Sequence, residues 1–303
     1  MSNTAKATIA GLLGYGIFGF SFLFSKIALN QVSPFVLLAV RFVTAFIVLN
    51  LLLFTGRVHL SFRGKPVAAL LLLGLVQPVM YFIFESYGIS LTSAAFSGVM
   101  IGMVPIFGLL FSVLFLKERC TIFQGICTVL SIGGVALTTT GGFGGSSFTG
   151  FLLLLGAVIS GALFTILSRK TSEHFSAFER TYIMFALGSI VFVAVAYVQC
   201  RGDYSAIASG LSSPSFWAAI LYLAVISSVC AFLLINYALS HIPASRAMIY
   251  SNFTPVISFF AGILLMGDRF TPVQVLGVVL IVASVFGVSY QKPVTKTDKD
   301  ISD

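Results

Sequence analysis

Ten stretches of about twenty predominantly apolar residues follow one another along this chain, near 7–25, 34–54, 66–89, 94–116, 122–140, 149–168, 178–198, 215–236, 245–266 and 272–290. A helix of that length matches the roughly 30 Å hydrocarbon core of a bilayer. In lipid every peptide group must find its hydrogen bond within the protein, so a succession of such runs resolves into helices. Composition agrees: 58% of the 303 residues are hydrophobic and 9% charged, against roughly 25% charged in ordinary soluble domains. The expected fold class is all-α, a polytopic membrane protein with ten transmembrane helices. The longest polar loop, about 199–214, is too short to form a core of its own. The polar tail 291–303 reads as a disordered cytoplasmic segment. Lys6 ahead of the first apolar run resembles a secretory signal, but nine further spans and Lys26 at the end of that run favour a retained helix.

A net charge of +8 in such a chain reports topology rather than nucleic-acid binding. With the N-terminus inside, the cytoplasmic set is Lys6, Arg57, Arg63, Lys65, Lys117, Arg119, Arg169, Lys170, Arg180, Lys292, Lys296 and Lys299; outside fall Lys26, Arg201 and Arg269. This bias places both termini in the cytoplasm of a multi-pass protein of the cell (plasma or inner) membrane. Cys120, Cys127, Cys200 and Cys230 lack metal-ligand spacing and read as packing residues; His59, His174 and His241 fall at cytoplasmic helix ends. No metal, cofactor or catalytic residue is expected, and the chain is not read as an enzyme. "GGFGG" at 141–145 lacks the Lys-Ser/Thr ending of a phosphate loop and reads as a hinge.

The chain also repeats itself. At an offset of 150, Tyr87 meets Tyr237, Ser90 meets Ser240, Ala94 meets Ala244, Pro105 meets Pro255, Arg119 meets Arg269, Thr121 meets Thr271 and Gln124 meets Gln274. Two five-helix units result, 7–140 and 149–290. Because five is odd, the units cross the membrane with opposite orientation, and inverted repeats of this kind characterise alternating-access transporters.

The residues of the repeat carry a resemblance. "FGFSFLFSK" (18–26) resembles a W-G-S/N-x-F…K pattern, Arg41 follows in the second helix, and "YGISLTSAAFSGVMIGMVPIFGLLFSVLFLKERC" (87–120) has a counterpart in "YALSHIPASRAMIYSNFTPVISFFAGILLMGDRF" (237–270). The chain resembles the EamA family of the drug/metabolite transporter superfamily over about residues 8–290. Phe18 stands where the pattern has Trp, and Asp268 where it has Glu. The resemblance implies a ten-helix basket in two inverted five-helix repeats, with a cavity lined mainly by helices 1, 3, 4, 6, 8 and 9. It further implies solutes such as amino acids, related metabolites and drug-like molecules.

Within the spans few groups are ionisable, and each is costly, about 2.5–3.5 kcal/mol at a helix centre. In "QPVMYFIFESYG" (77–88), Gln77, Tyr81 and Glu85 recur every four residues and share a helix face. Arg41 lies at a similar depth to Glu85, within about 3 Å at the helical rise. Two readings stand at this point: Arg41 and Glu85 form an ion pair fixing helix 2 on helix 3, or Glu85 faces the cavity, binds a cationic group and carries a proton. The counterparts of the stripe, Ser227, Ala231 and Ile235, are uncharged. Asn236, Tyr250 and Asn252 offer neutral hydrogen-bonding groups, with interhelical adhesion as the equal alternative for Asn236 and Asn252. Phe18 and Met100 supply apolar wall. Pro78, Pro105 and Pro255 mark expected kinks, and Ala94, Gly98 and Gly102 a close helix contact.

The function expected is secondary active transport, with a small-molecule solute and the lipid bilayer as partners: export of amino acids or related small metabolites by alternating access, coupled to protons or exchange. Import of a small metabolite or nucleoside-like solute and a passive channel are the alternatives, with a scaffold or lipid-active enzyme further off. The sequence does not fix the oligomeric state.

Overall fold

A computed structural model describes residues 3–56, 58–116, 121–138, 147–200, 208, 210–242, 250–251, 253–267 and 271–290. Asn252, the 141–145 glycines, the tail 291–303, and the Glu118-Arg119 and Asp268-Arg269 pairs lie outside the described residues. The chain is all-helical across ten apolar segments. α1 spans Asn3–Leu29, α2 Pro34–Phe54, α5 Ile122–Thr138, α6 Phe148–Thr171, α7 Ala177–Cys200 and α10 Pro272–Tyr290. Four segments are interrupted. α3 runs Val67–Gly74, Leu75–Met80 and Tyr81–Ser90; α4 runs Ala94–Ile101 and Val104–Leu116. α8 runs Pro214–Leu221, Tyr222–Ala231 and Phe232–His241; α9 runs Phe253–Ala261 and Gly262–Met266. Among the described residues six helices are long and apolar enough to cross a bilayer, and four shorter apolar helices accompany them.

Local chemistry sets the ends. Pro34 and Pro214 open α2 and α8, where a missing N–H costs nothing. The hydroxyls of Ser93 and Ser147 accept from Phe96 N (3.1 Å) and Gly150 N (2.9 Å), capping α4 and α6. At the start of α7, Ser176 and Glu179 cap reciprocally: Glu179 N donates to Ser176 Oγ and Ser176 N to Glu179 Oε2. Glu179 also accepts from Ser61 N and from Lys65 Nζ at 3.0 Å, tying the α2–α3 connection to α7. α9 ends on Gly267 at φ +71°, a left-handed conformation that suits glycine.

The packing exchanges helices between the halves. α1 lies chiefly against α8 and α9, and α6 chiefly against α3 and α4. α2 pairs with α7, α5 with α10 and α4 with α9. Swapping each helix for its counterpart five places on returns the same set of pairs, so the halves are related by a pseudo-two-fold. Small residues permit these approaches. A Cβ on Gly14 would fall 2.7 Å from Ile235, one on Gly19 2.6 Å from Ile257, and one on Gly98 1.9 Å from Ser258 Oγ.

The kink expected at Pro78 is present, while Pro105 departs from that expectation. In α3 the interruption is centred on Gln77, whose φ −144° and ψ 117° are extended, with Pro78 after it. In α4 the helix pauses at Gly102–Met103 and restarts at Val104, so Pro105 sits in a first turn where its ring needs no preceding donor. α8 loosens over Tyr222–Ala231, and the 150-residue counterpart of Leu75–Met80 falls inside that stretch.

Candidate functional site

A cavity lies where the halves meet. Its wall takes Tyr15, Phe18, Ser21 and Phe22 from α1, Arg41 from α2, Gln77, Tyr81, Phe82 and Glu85 from α3, and Ile101 and Val104 from the two pieces of α4. From the second half come Gly161, Phe164 and Thr165 of α6, Ile235 of α8, and Ser251 and Thr254. The lining obeys the repeat. Ile101 and Ser251, Val104 and Thr254, and Glu85 and Ile235 are 150 apart; in the first helices the offset is 143, pairing Phe18 with Gly161, Ser21 with Phe164 and Phe22 with Thr165. The pseudo-two-fold therefore passes through the cavity, while its two halves differ chemically at every one of these pairs.

The charged groups are arranged apart. Arg41 is 2% exposed; its Nε donates to Ser228 Oγ at 2.9 Å and its Nη2 to Ser227 Oγ at 3.3 Å, and its guanidinium lies 4.4 Å from the Phe82 ring centroid. The cation is thus anchored to α8 and faced by an aromatic quadrupole. Glu85, 4% exposed, accepts from Tyr81 Oη at 3.0 Å. The ion pair seen between described residues joins Lys65 and Glu179; Arg41 and Glu85 form none. Gln77 is 3% exposed, lines the cavity at the break of α3, and its side-chain amide makes no hydrogen bond with a described residue. An amide in that position retains donors and an acceptor for something in the cavity.

The other singled-out residues divide between the cavity and its surroundings. Phe18 is in the wall, edge-on to Phe232 at 5.2 Å. Met100 is fully buried in the core rather than in the lining. Tyr250 packs on α1 and donates to Thr8 Oγ1 at 3.2 Å. Asn236 is fully buried away from the cavity, its Oδ1 accepting from Ser168 Oγ (2.7 Å) and its Nδ2 donating to Thr181 Oγ1 (2.9 Å).

Two features escaped the sequence reading. The Ser227–Ser228 pair is the partner of Arg41, which neither spacing nor the offset connects. Arg180, counted with the cytoplasmic charges, is fully buried in α7. It donates to Ser168 O and Oγ, Asn236 O, Ser240 Oγ and Ser176 O. Its place three residues into an apolar helix was the available signal, since Arg at that depth needs oxygen partners.

Comparison with known proteins finds a family that the chain matches. The model of the EamA-like transporter family matches residues 5–140 and 148–290. The uncharacterized transporter YcxC of Bacillus subtilis is 35% identical over 286 residues, covering 93% of this chain and 92% of its own. An uncharacterized transporter of Archaeoglobus fulgidus is 24% identical over 284 residues, covering 93% and 98%. A solved crystal structure superposes with a TM-score of 0.66 at 17% identity, covering 94% of this chain and 97% of that one, a likeness of fold.

Proposed function

This chain belongs to the EamA-like transporter family, and on that basis we propose that it is a secondary active carrier exporting amino acids or related small metabolites by alternating access, driven by protons or exchange. The observation that carries the reading is the cavity on the pseudo-two-fold, in which the Gln77 amide makes no hydrogen bond with a described residue and Glu85 accepts from Tyr81. Glu85 takes the cationic end of a solute or a coupling proton, Gln77 and Tyr81 orient its polar groups, and Phe18, Phe22 and Phe164 enclose its apolar body. Units 7–140 and 149–290 are the inverted repeats whose exchange of conformation alternates access, with both termini in the cytoplasm of the cell membrane. Asn252, three residues before Pro255, remains in the proposed binding set.

The test is a thermal-shift screen of the purified chain against amino acids, amines and nucleosides, followed by counterflow of the best hit in proteoliposomes. A saturable exchange that Glu85→Gln reduces is expected. Flux that rises linearly with solute and shows no counterflow overturns the carrier reading in favour of a channel.

A further inference from the structure

The two ends of the cavity are each tied by a basic side chain reaching across from one helix to the last carbonyls of another. At one face Lys26 of α1 donates from Nζ to Ile89 O (2.8 Å) and Ser90 O (3.4 Å), where α3 ends, and to Thr92 O in the turn to α4. At the other face Arg169 of α6 donates from Nη1 to Leu239 O (2.9 Å) and Ser240 O (3.2 Å), where α8 ends. These are the same contact made twice. Ile89 and Ser90 are 150 residues from Leu239 and Ser240, and "FSK" (24–26) stands 143 residues from "LSR" (167–169), the offset that also relates the cavity walls of α1 and α6.

The placement matters because α1 and α6 are exchanged. α1 rides on α8 and α9, so Lys26 bonds the α1–α8–α9 group to the α3–α4 turn. α6 rides on α3 and α4, so Arg169 bonds the α3–α4–α6 group to α8. Each basic side chain therefore crosses the surface along which the groups would have to part to admit solute, at opposite ends of the cavity. The acceptors are carbonyls in the last turn of α3 or α8 and in the α3–α4 turn, at or near the negative end of a helix dipole; Ile89 O also accepts from Thr92 N at 3.3 Å, and water can replace the basic side chain once the end opens. Such bonds hold a closed end without making its opening prohibitive.

We propose that Lys26 and Arg169 are the latches of two gates, one on each face, and that the structure with both fastened is the occluded state of the carrier. This rests on the alternating-access reading above. The two latches are unequal: Arg180 and Asn236 reinforce the Arg169 end with bonds to Ser168, Thr181 and Ser240, so that end is the harder to open.

The test uses the full chain with Cys120, Cys127, Cys200 and Cys230 replaced by serine and Ser21→Cys in the cavity wall as reporter. Its labelling by a small membrane-impermeant methanethiosulfonate is followed from each face, in intact cells and in inside-out vesicles. Lys26→Met is expected to raise the labelling rate about five-fold or more from the Lys26 face alone, as loss of roughly one hydrogen bond's worth of closure implies. Arg169→Gln combined with Ser240→Ala is expected to raise it from the opposite face, and Lys26→Arg to restore the parent rate. No rise at the expected face, or a rise at the wrong one, overturns the proposal. So does a Lys26→Met chain that no longer folds, because a bond that must break in every cycle cannot be one the fold depends on. Labelling needs no solute, so failed counterflow leaves this result standing, while active counterflow with unmoved labelling removes the latches and not the carrier.

Discussion

Arg41 and Glu85 share one cavity without touching: the guanidinium is bonded to Ser227 and Ser228 of α8, and the carboxylate to Tyr81 on its own helix. The first bond spans the two halves and the second stays within one. Exchanging the charges, Arg41→Glu with Glu85→Arg, should therefore not restore what either change loses, since the serines that suit a donor would face a carboxylate. Folding yield and counterflow of the single and double variants measure this; recovery in the double variant would instead favour a pair formed in another transport state.

Glu85→Gln keeps the shape of the side chain and its acceptor for Tyr81 while removing the charge. The expected outcome is normal insertion with transport reduced about ten-fold or more, corresponding to about 1.4 kcal/mol of lost interaction. Initial rates of counterflow, together with their dependence on pH, provide the measurement; wild-type rates and pH profile count against a role for Glu85 in the cavity.

Arg180→Lys should destabilise the protein almost as much as Arg180→Ala, by about 3 kcal/mol or more, because a single ammonium cannot reach four residues at once and buried acceptors lose their donors. Unfolding of purified variants in detergent gives the comparison. A lysine that retains full stability would mean that charge rather than the guanidinium fork holds α6, α7 and α8 together.

Glu179 and Lys65 form an ion pair, yet the two ends are not equivalent. Glu179 also accepts from two backbone N–H groups and is buried, whereas Lys65 is 27% exposed. Glu179→Ala should cost about 2 kcal/mol and Lys65→Ala less than about 1 kcal/mol, as expected of a cap with charged hydrogen bonds against a half-solvated cation. Thermal denaturation of both variants reads the difference.

Glycines within the helices should separate into two groups. Gly98→Ala places a methyl into Ser258 and should cost about 1–3 kcal/mol, partly recovered by Ser258→Gly, which removes the obstructing atoms. Gly125→Ala meets nothing within 4 Å and should be neutral or slightly stabilising. Melting temperatures of the three variants test it.

The spans and the repeat were legible because lipid enforces helices and because the 150-residue offset runs through α3, α4, α8 and α9 with few interruptions. The polar stripe Gln77, Tyr81 and Glu85 was legible for a partly different reason than the one that places it: the four-residue spacing presumes an unbroken helix, yet Gln77 is extended and still reaches the same cavity. The partners of Arg41 were not legible, since Ser227 and Ser228 owe their role to a contact between α2 and α8 that no local pattern encodes. Asn236 shows the opposite limit. A buried asparagine reads the same from sequence whether its amide faces a solute or, as here, Ser168 and Thr181.

The exchange of α1 and α6 also decides what the smallest viable unit is. A chain severed within 139–147 would leave each fragment with its first helix lacking the groove it occupies and with a groove lacking its helix. Neither fragment could shed that defect alone. The two would be stable only by finding each other, or a second copy of themselves lying upside down in the same bilayer.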